Sequence, residues 1–175
     1  LGIDADVRMH VTVATSLAMI IPTAISSSRA HEAKGAVDHA QLRRWGIAIF
    51  LGAIAGVILA SRVSGDVLSA VFGIVALLVA IKMLLPLEGK LIAEAIPGGV
   101  TGQAIPFAIG GISSMMGIGG GTLTVPVMTQ FNVPIHRAVG TAALFGLLIS
   151  APATVAFIIA GWNVVELPPG RLAYL

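Results

Sequence analysis

The sequence contains no cysteine, few rings and little charge: 10 Lys or Arg, 8 Asp or Glu, and 5% aromatic residues in a chain of 175. Without Cys there are no disulfides, thiolate metal sites or cysteine nucleophiles in these residues. A net charge of +2 provides no phosphate-binding face and so few aromatics no stacking platform, so nucleic acid is not an expected partner. Soluble domains carry about 25% charged residues. At 10% charge, 57% hydrophobic residues and a mean hydropathy of +0.99, a soluble globule would lack the ionic groups to cover its apolar surface. A lipid bilayer is the solvent this composition suits. Residue 1 is Leu, and no basic stretch precedes an apolar core there. No signal peptide is expected, and the chain is expected to start inside a longer protein.

Five stretches reach the roughly 20 mainly apolar residues that a membrane crossing needs: 9–28, 46–63, 67–86, 104–128 and 138–161. All eight acids (Asp4, Asp6, Glu32, Asp38, Asp66, Glu88, Glu94 and Glu166) fall outside them, and Lys82 is the one basic residue inside, near an end. Backbone amides in lipid must be bonded within the segment, and the alternating pattern of a membrane barrel is absent. The fold class expected is all-α, a polytopic integral membrane helical bundle. Trp45 and Trp162 fall where an interfacial aromatic belt is expected.

Loop charge gives an orientation. The segment 29–44 carries Arg29, Lys34, Arg43 and Arg44, which marks it as cytoplasmic. If every segment crosses once, Lys82, Lys90 and Arg171 join that side, and Arg8, Arg62 and Arg137 lie opposite. If 104–128 instead dips in and returns, Arg137 and Arg171 swap and the balance is unchanged. The rule orients the first three spans and leaves the fourth open.

An internal repeat shows at an offset of 126 residues. His10 pairs with His136, Val13 with Val139, Thr15 with Thr141 and Gly35 with Gly161. This divides the chain into a partial first membrane repeat (1–86), a cytoplasmic linker (87–103) and a partial second repeat (104–175).

The most unusual string runs from Gly110 to Pro126, GGISSMMGIGGGTLTVP. Dense glycine and a closing proline disfavour a continuous helix. A break at membrane depth is tolerated only where the freed N–H and C=O groups face protein or an aqueous cavity. Gly117, Gly119, Gly120 and Gly121 would let a ligand approach the main chain. A helix restarting near Thr122 would aim its free N–H groups at an anion. Ser113, Ser114, Thr122 and Thr124 would add hydroxyls. Gly117-x-x-x-Gly121 equally matches a small-residue packing motif, as does Gly52-x-x-x-Gly56. A dinucleotide fingerprint would need Gly at Thr122, and a Walker loop would need Gly-Lys-Ser/Thr. Neither is present.

The spans contain no acid, so a small anionic substrate held by amides and hydroxyls suits the composition better than a cation. No spaced set of His, Asp or Glu in the spans suggests a catalytic residue, a metal or a cofactor, and an enzyme is not expected. His10 and His136 open apolar helices, as interfacial anchors or as groups that titrate. Arg137 beside His136 is an anchor or an attractor of anions, and His31 and His39 lie in the charged loop. Thr15, Ser16 and Thr141, in the first turns of repeat-related helices, either bond their own backbone or complete a central site.

Ser113–Pro126, SSMMGIGGGTLTVP, followed by Ala138-Val-Gly-Thr141, resembles the second-half signature of the TauE/SafE sulfite-exporter family. Val13-Ala-Thr-Ser-Leu17, with Gly35-Ala-Val-Asp38, is similar to that family's first half. The resemblance implies a bacterial inner-membrane carrier of about eight helices in two halves, moving sulfite, sulfoacetate, other organosulfonates or small organic anions. It marks Gly117, Gly119, Gly120, Gly121, Pro126 and Thr141 in the second half and Thr15 and Ser16 in the first. It also implies a glycine string of the first half lying before residue 1, and helices beyond residue 175. Ala142 stands where that family often has Ser. The function expected is a secondary carrier that exports such anions, with an alternative as a scaffold or assembly subunit whose glycines serve packing alone. A homo-oligomer is compatible with either.

Overall fold

The computed structural model describes residues 5–84 and 99–162. Among them the chain forms six α-helices and no strand: α1 (Ala5–Ala33), α2 (His39–Ala60), α3 (Gly65–Leu84), α4 (Gly99–Met116), α5 (Gly121–Gln130) and α6 (Ile135–Gly161). By length and composition Arg8–Ala33, His39–Ala60 and Ile135–Gly161 are apolar enough to cross a membrane, and Gly65–Ile81 is a shorter apolar helix. The chain is a polytopic helical membrane protein.

The helix ends are chemically marked. α1 stops where Gly35 turns left-handed (φ +63°), and the N–H groups of Lys34, Gly35 and Ala36 close on the carbonyls of His31 and Glu32. α2 then starts under an Asp38 cap, whose carboxylate accepts the Gln41 N–H at 3.0 Å. The loop between them is therefore only 34–38. The basic segment expected over 29–44 is mostly helix, with Arg29 on the last turns of α1 and Arg43 and Arg44 in α2. Charge at a helix end reaches water without a long loop. The expected linker 87–103 lies outside the described residues up to position 98, and α4 already begins at Gly99. Lys90 and Arg171 also lie outside them.

Contacts between named residues fix the helix directions. His10 Nε2 meets the Ala60 carbonyl at 2.9 Å, so α1 begins beside the end of α2. Gln103 of α4 donates to the Arg44 carbonyl, and further along Gly56 faces Gly111 and Ser114, so α4 runs parallel to α2. Asp38 meets Thr141, and Gly46 faces Leu148, so α6 also runs parallel to α2. α5 starts against Ala142–Gly146 of α6 and ends at Gln130, a few residues before α6 begins. It therefore runs back antiparallel to α4. The segment 99–130 is a re-entrant hairpin, with both ends at the end of the bundle where α2 and α6 start. This resolves the choice that charge alone left open, and it puts Arg137 at the same end as Arg29, Lys34, Arg43 and Arg44.

Small residues allow the closest approaches. A Cβ at Gly52 would land on the Phe107 carbonyl, at Gly56 on Gly111 and Ser114, and at Gly110 on the Ile49 carbonyl. Helices in lipid associate by such backbone proximity, since apolar side chains gain little by leaving hydrocarbon. The core gathers Val13, Leu17, Ile49, Phe145, Ile149 and Phe157, all buried. Trp45 joins it: fully buried, its indole lies 6.2 Å from the Phe145 ring. The belt assignment is corrected there, because α2 is covered on that side by α6; Trp162 is exposed. The outer face of α3 presents Phe72, Ile74, Leu77, Leu78 and Leu84, as a lipid-facing helix would.

Candidate binding site at the helix break

The glycine string does interrupt the helix. α4 ends at Met116, and Gly117 (φ +68°) and Gly119 (φ +78°) occupy the left-handed region where a Cβ is strained. The turn is packed as well as bent. A Cβ at Gly117 would press on Val13 of α1, and one at Gly120 would meet the Gly146 amide of α6 at 2.7 Å. Ser16 on α1 donates to the Gly117 carbonyl at 2.6 Å, satisfying an acceptor that the broken helix frees. The tip of the hairpin thus sits against the middle stretches of both α1 and α6.

α5 opens there as an uncapped helix. Its first bond runs from the Thr124 N–H to the Gly120 carbonyl at 3.0 Å, and Gly120 as N-cap has no side chain to offer. The N–H groups of Gly121, Thr122 and Leu123 precede that bond, with the partial positive charge of a helix start behind them. Beside them is a cavity of about 220 Å³ with Val75 and Val79 of α3 on one wall and Ser113, Ile118 and Thr122 on the other. Ser113 is 1% exposed, and its hydroxyl has no hydrogen-bond partner. A buried, unpartnered hydroxyl costs stability unless something else uses it. The cavity surface is almost wholly apolar, with Ser113 and Thr122 among its lining residues and the start of α5 beside it, and its lining carries no ionisable group.

The residues expected at this site divide into two groups. Gly117, Gly119, Gly120, Gly121, Ser113, Thr122 and Ser16 come together at the break. Gly121 is exposed with open space around its Cα, so it makes no packing contact of the Gly-x-x-x-Gly kind. Ser114 points the other way, toward Gly56 of α2, and donates to Gly111 of its own helix at 2.9 Å. Thr15 is exposed and bonds back to Val11 at 2.7 Å. Thr141 makes the equivalent bond to Arg137, also 2.7 Å, and in addition accepts the Asp38 N–H at 2.9 Å. It fastens the 34–38 loop to α6, one turn from the residues Gly120 touches. Thr124 is buried with an unpartnered hydroxyl. The α3 wall carried no signal in the sequence, because a valine in a span reads as lipid-facing wherever it points. Among the described residues no group of His, Asp or Glu is placed to hold a metal ion.

Comparison with known proteins agrees with a membrane protein. The profile of the family described as sulfite exporter TauE/SafE matches residues 1–173. The chain is 26% identical over 173 residues to a "Probable membrane transporter protein" of Haemophilus influenzae, covering 99% of this chain and 66% of that protein. It is 30% identical over 179 residues to "Probable membrane transporter protein YunE" of Bacillus subtilis, covering 89% of this chain and 64% of that protein. It thus spans just under two thirds of each of these relatives, both named as membrane transporters and not as enzymes. No solved structure matches it. With nearly its whole length matched, the chain belongs to the TauE/SafE sulfite exporter family.

Proposed function

We propose that the chain is the larger part of a secondary carrier in the bacterial inner membrane that exports a small sulfur-containing oxyanion or organosulfonate, such as sulfite or a sulfoacetate-like anion. The observation that carries this is the hairpin tip at mid-bundle, where Ser113 and the uncapped start of α5 border a cavity without a single ionisable wall residue. An oxyanion there accepts hydrogen bonds from the α5 amides and from the Ser113 and Thr122 hydroxyls, while the α3 valines accommodate a short carbon tail. The basic end of the bundle is the cytoplasmic one. α1 and α6 open with the related His10 and His136 strings and lie antiparallel, an arrangement that supports inverted repeats rocking against each other around the break. Pro126 lacks the N–H that would have closed on the Thr122 carbonyl, which leaves α5 less tightly tied to its first turn.

The packing glycines form a different set. Gly52, Gly56 and Gly110 serve the α2–α4 contact, whereas Gly117 and Gly119 are required by their backbone angles. The test is sulfite efflux from proteoliposomes carrying the full-length protein. Gly119→Val is expected to abolish efflux while membrane insertion persists, and unchanged flux would refute the proposal.

A further inference from the structure

At the end of the bundle where α6 starts, a second cavity of about 490 Å³ lies between α1 and α6. Its lining is His31, Lys34, Ala36, Ile135, His136 and Val139, three basic side chains and no acid. The acids of the neighbouring chain are engaged elsewhere. Glu32 Oε1 is 2.9 Å from His39 Nε2, and Asp38 caps α2. Nor are the basic groups there to cap α1, whose last carbonyls at His31 and Glu32 are already satisfied by the amides of Lys34, Gly35 and Ala36. α6 begins at the same cavity with Pro134 as its N-cap and no side-chain cap, so the amides ahead of the Ala138–Pro134 bond add positive potential. The walls are fastened together: Thr141 of α6 accepts the Asp38 N–H, and Gly140 packs against the Ala36 carbonyl so closely that no Cβ fits.

We infer that this cavity is a second anion site, binding the head of a sulfate-, sulfonate- or phosphate-type oxyanion through Lys34, His31, His136 and the start of α6. It stands on its own lining and does not depend on the seat at the helix break. Lys34 and His136 are exposed and His31 is half-buried, so the anion exchanges with water on that side. The same head chemistry is presented by a free anion or by an anionic lipid at the membrane surface.

The test uses the full-length protein in nanodiscs of phosphatidylcholine alone, titrated with inorganic sulfate against chloride at matched ionic strength. The readout is ring NMR of the histidines. His31 and His136 are expected to shift, while His39, paired with Glu32, and His10, bonded to Ala60, stay in place. Lys34→Gln, an exposed substitution, is expected to weaken the apparent Kd about tenfold, as loss of one charge-assisted contact does. Ser113→Ala, which removes a hydroxyl at the helix break without straining the backbone, is expected to leave it unchanged, which separates this site from the central one. A second arm repeats the measurement in discs containing phosphatidylglycerol. The same shifts appearing there before sulfate is added, and then resisting sulfate, assign the site to a lipid head; shifts that still require sulfate assign it to a free anion. Absence of His31 and His136 shifts in both kinds of disc, or a Lys34→Gln variant that binds as tightly as the parent, overturns the inference.

Discussion

Ser16 on α1 donates a 2.6 Å hydrogen bond to the carbonyl of Gly117, 101 residues away in sequence. A broken helix leaves carbonyls without partners, and here the adjacent helix supplies one. The bond ties the tip of the α4–α5 hairpin to α1.

Ser16→Ala leaves that carbonyl without its donor. The expected destabilisation is about 1–3 kcal/mol, the range for an orphaned buried acceptor. Thermal unfolding of the variant in detergent checks the magnitude. Hydrogen exchange locates it, with faster exchange expected at 117–121 and no change in α2.

The glycines of the break are not equivalent. At Gly119 (φ +78°) an Ala is strained by about 1–2 kcal/mol, whereas Gly121 lies at the start of α5 with nothing within 4 Å of an added Cβ. Gly119→Ala is therefore expected to impair transport and stability, and Gly121→Ala to leave stability unchanged or slightly raised. Equal damage from both would show that backbone angle is not what the break requires.

Much of this was legible in the sequence because apolar length and glycine density are direct statements about backbone in lipid. The helices fall on the five predicted stretches, and the interruption falls at Gly117–Gly120 within the predicted string. The return of α5 was not legible, since moving Arg137 to one side and Arg171 to the other leaves the charge balance untouched. Trp45 could not be told from a belt residue, because one tryptophan near a helix start looks the same whether lipid or α6 covers it. Thr141 presented a related ambiguity. A threonine in a first turn bonds back to its own helix as a rule, and its second bond, to Asp38, depends on a loop 103 residues away.

Thr141→Val removes both the bond to Arg137 and the acceptor for the Asp38 N–H. A loss of about 1–3 kcal/mol is expected, with Thr141→Ser keeping most of the stability because it keeps the hydroxyl. Comparing the melting curves of the two variants is sufficient. If Val and Ser behave alike, the hydroxyl does not fasten the 34–38 loop.

Gly56→Ile tests the packing set. Its side chain would overlap Gly111 and Ser114 across the α2–α4 contact, whereas at Gly73 on α3, which is exposed, an added Cβ meets nothing within 4 Å. Gly56→Ile is expected to lower the yield of folded protein in size-exclusion chromatography, and Gly73→Ile to leave it unchanged.

The most direct measurement compares two buried serines whose hydroxyls have no partner, Ser113 beside the break and Ser150 on α6. Either change to Ala removes an unsatisfied hydroxyl, so neither is expected to destabilise the fold. Calorimetric titration of the full-length protein with sulfite should give about tenfold weaker binding for Ser113→Ala and parental binding for Ser150→Ala. Parental affinity in Ser113→Ala would contradict an anion seat at the interrupted hairpin.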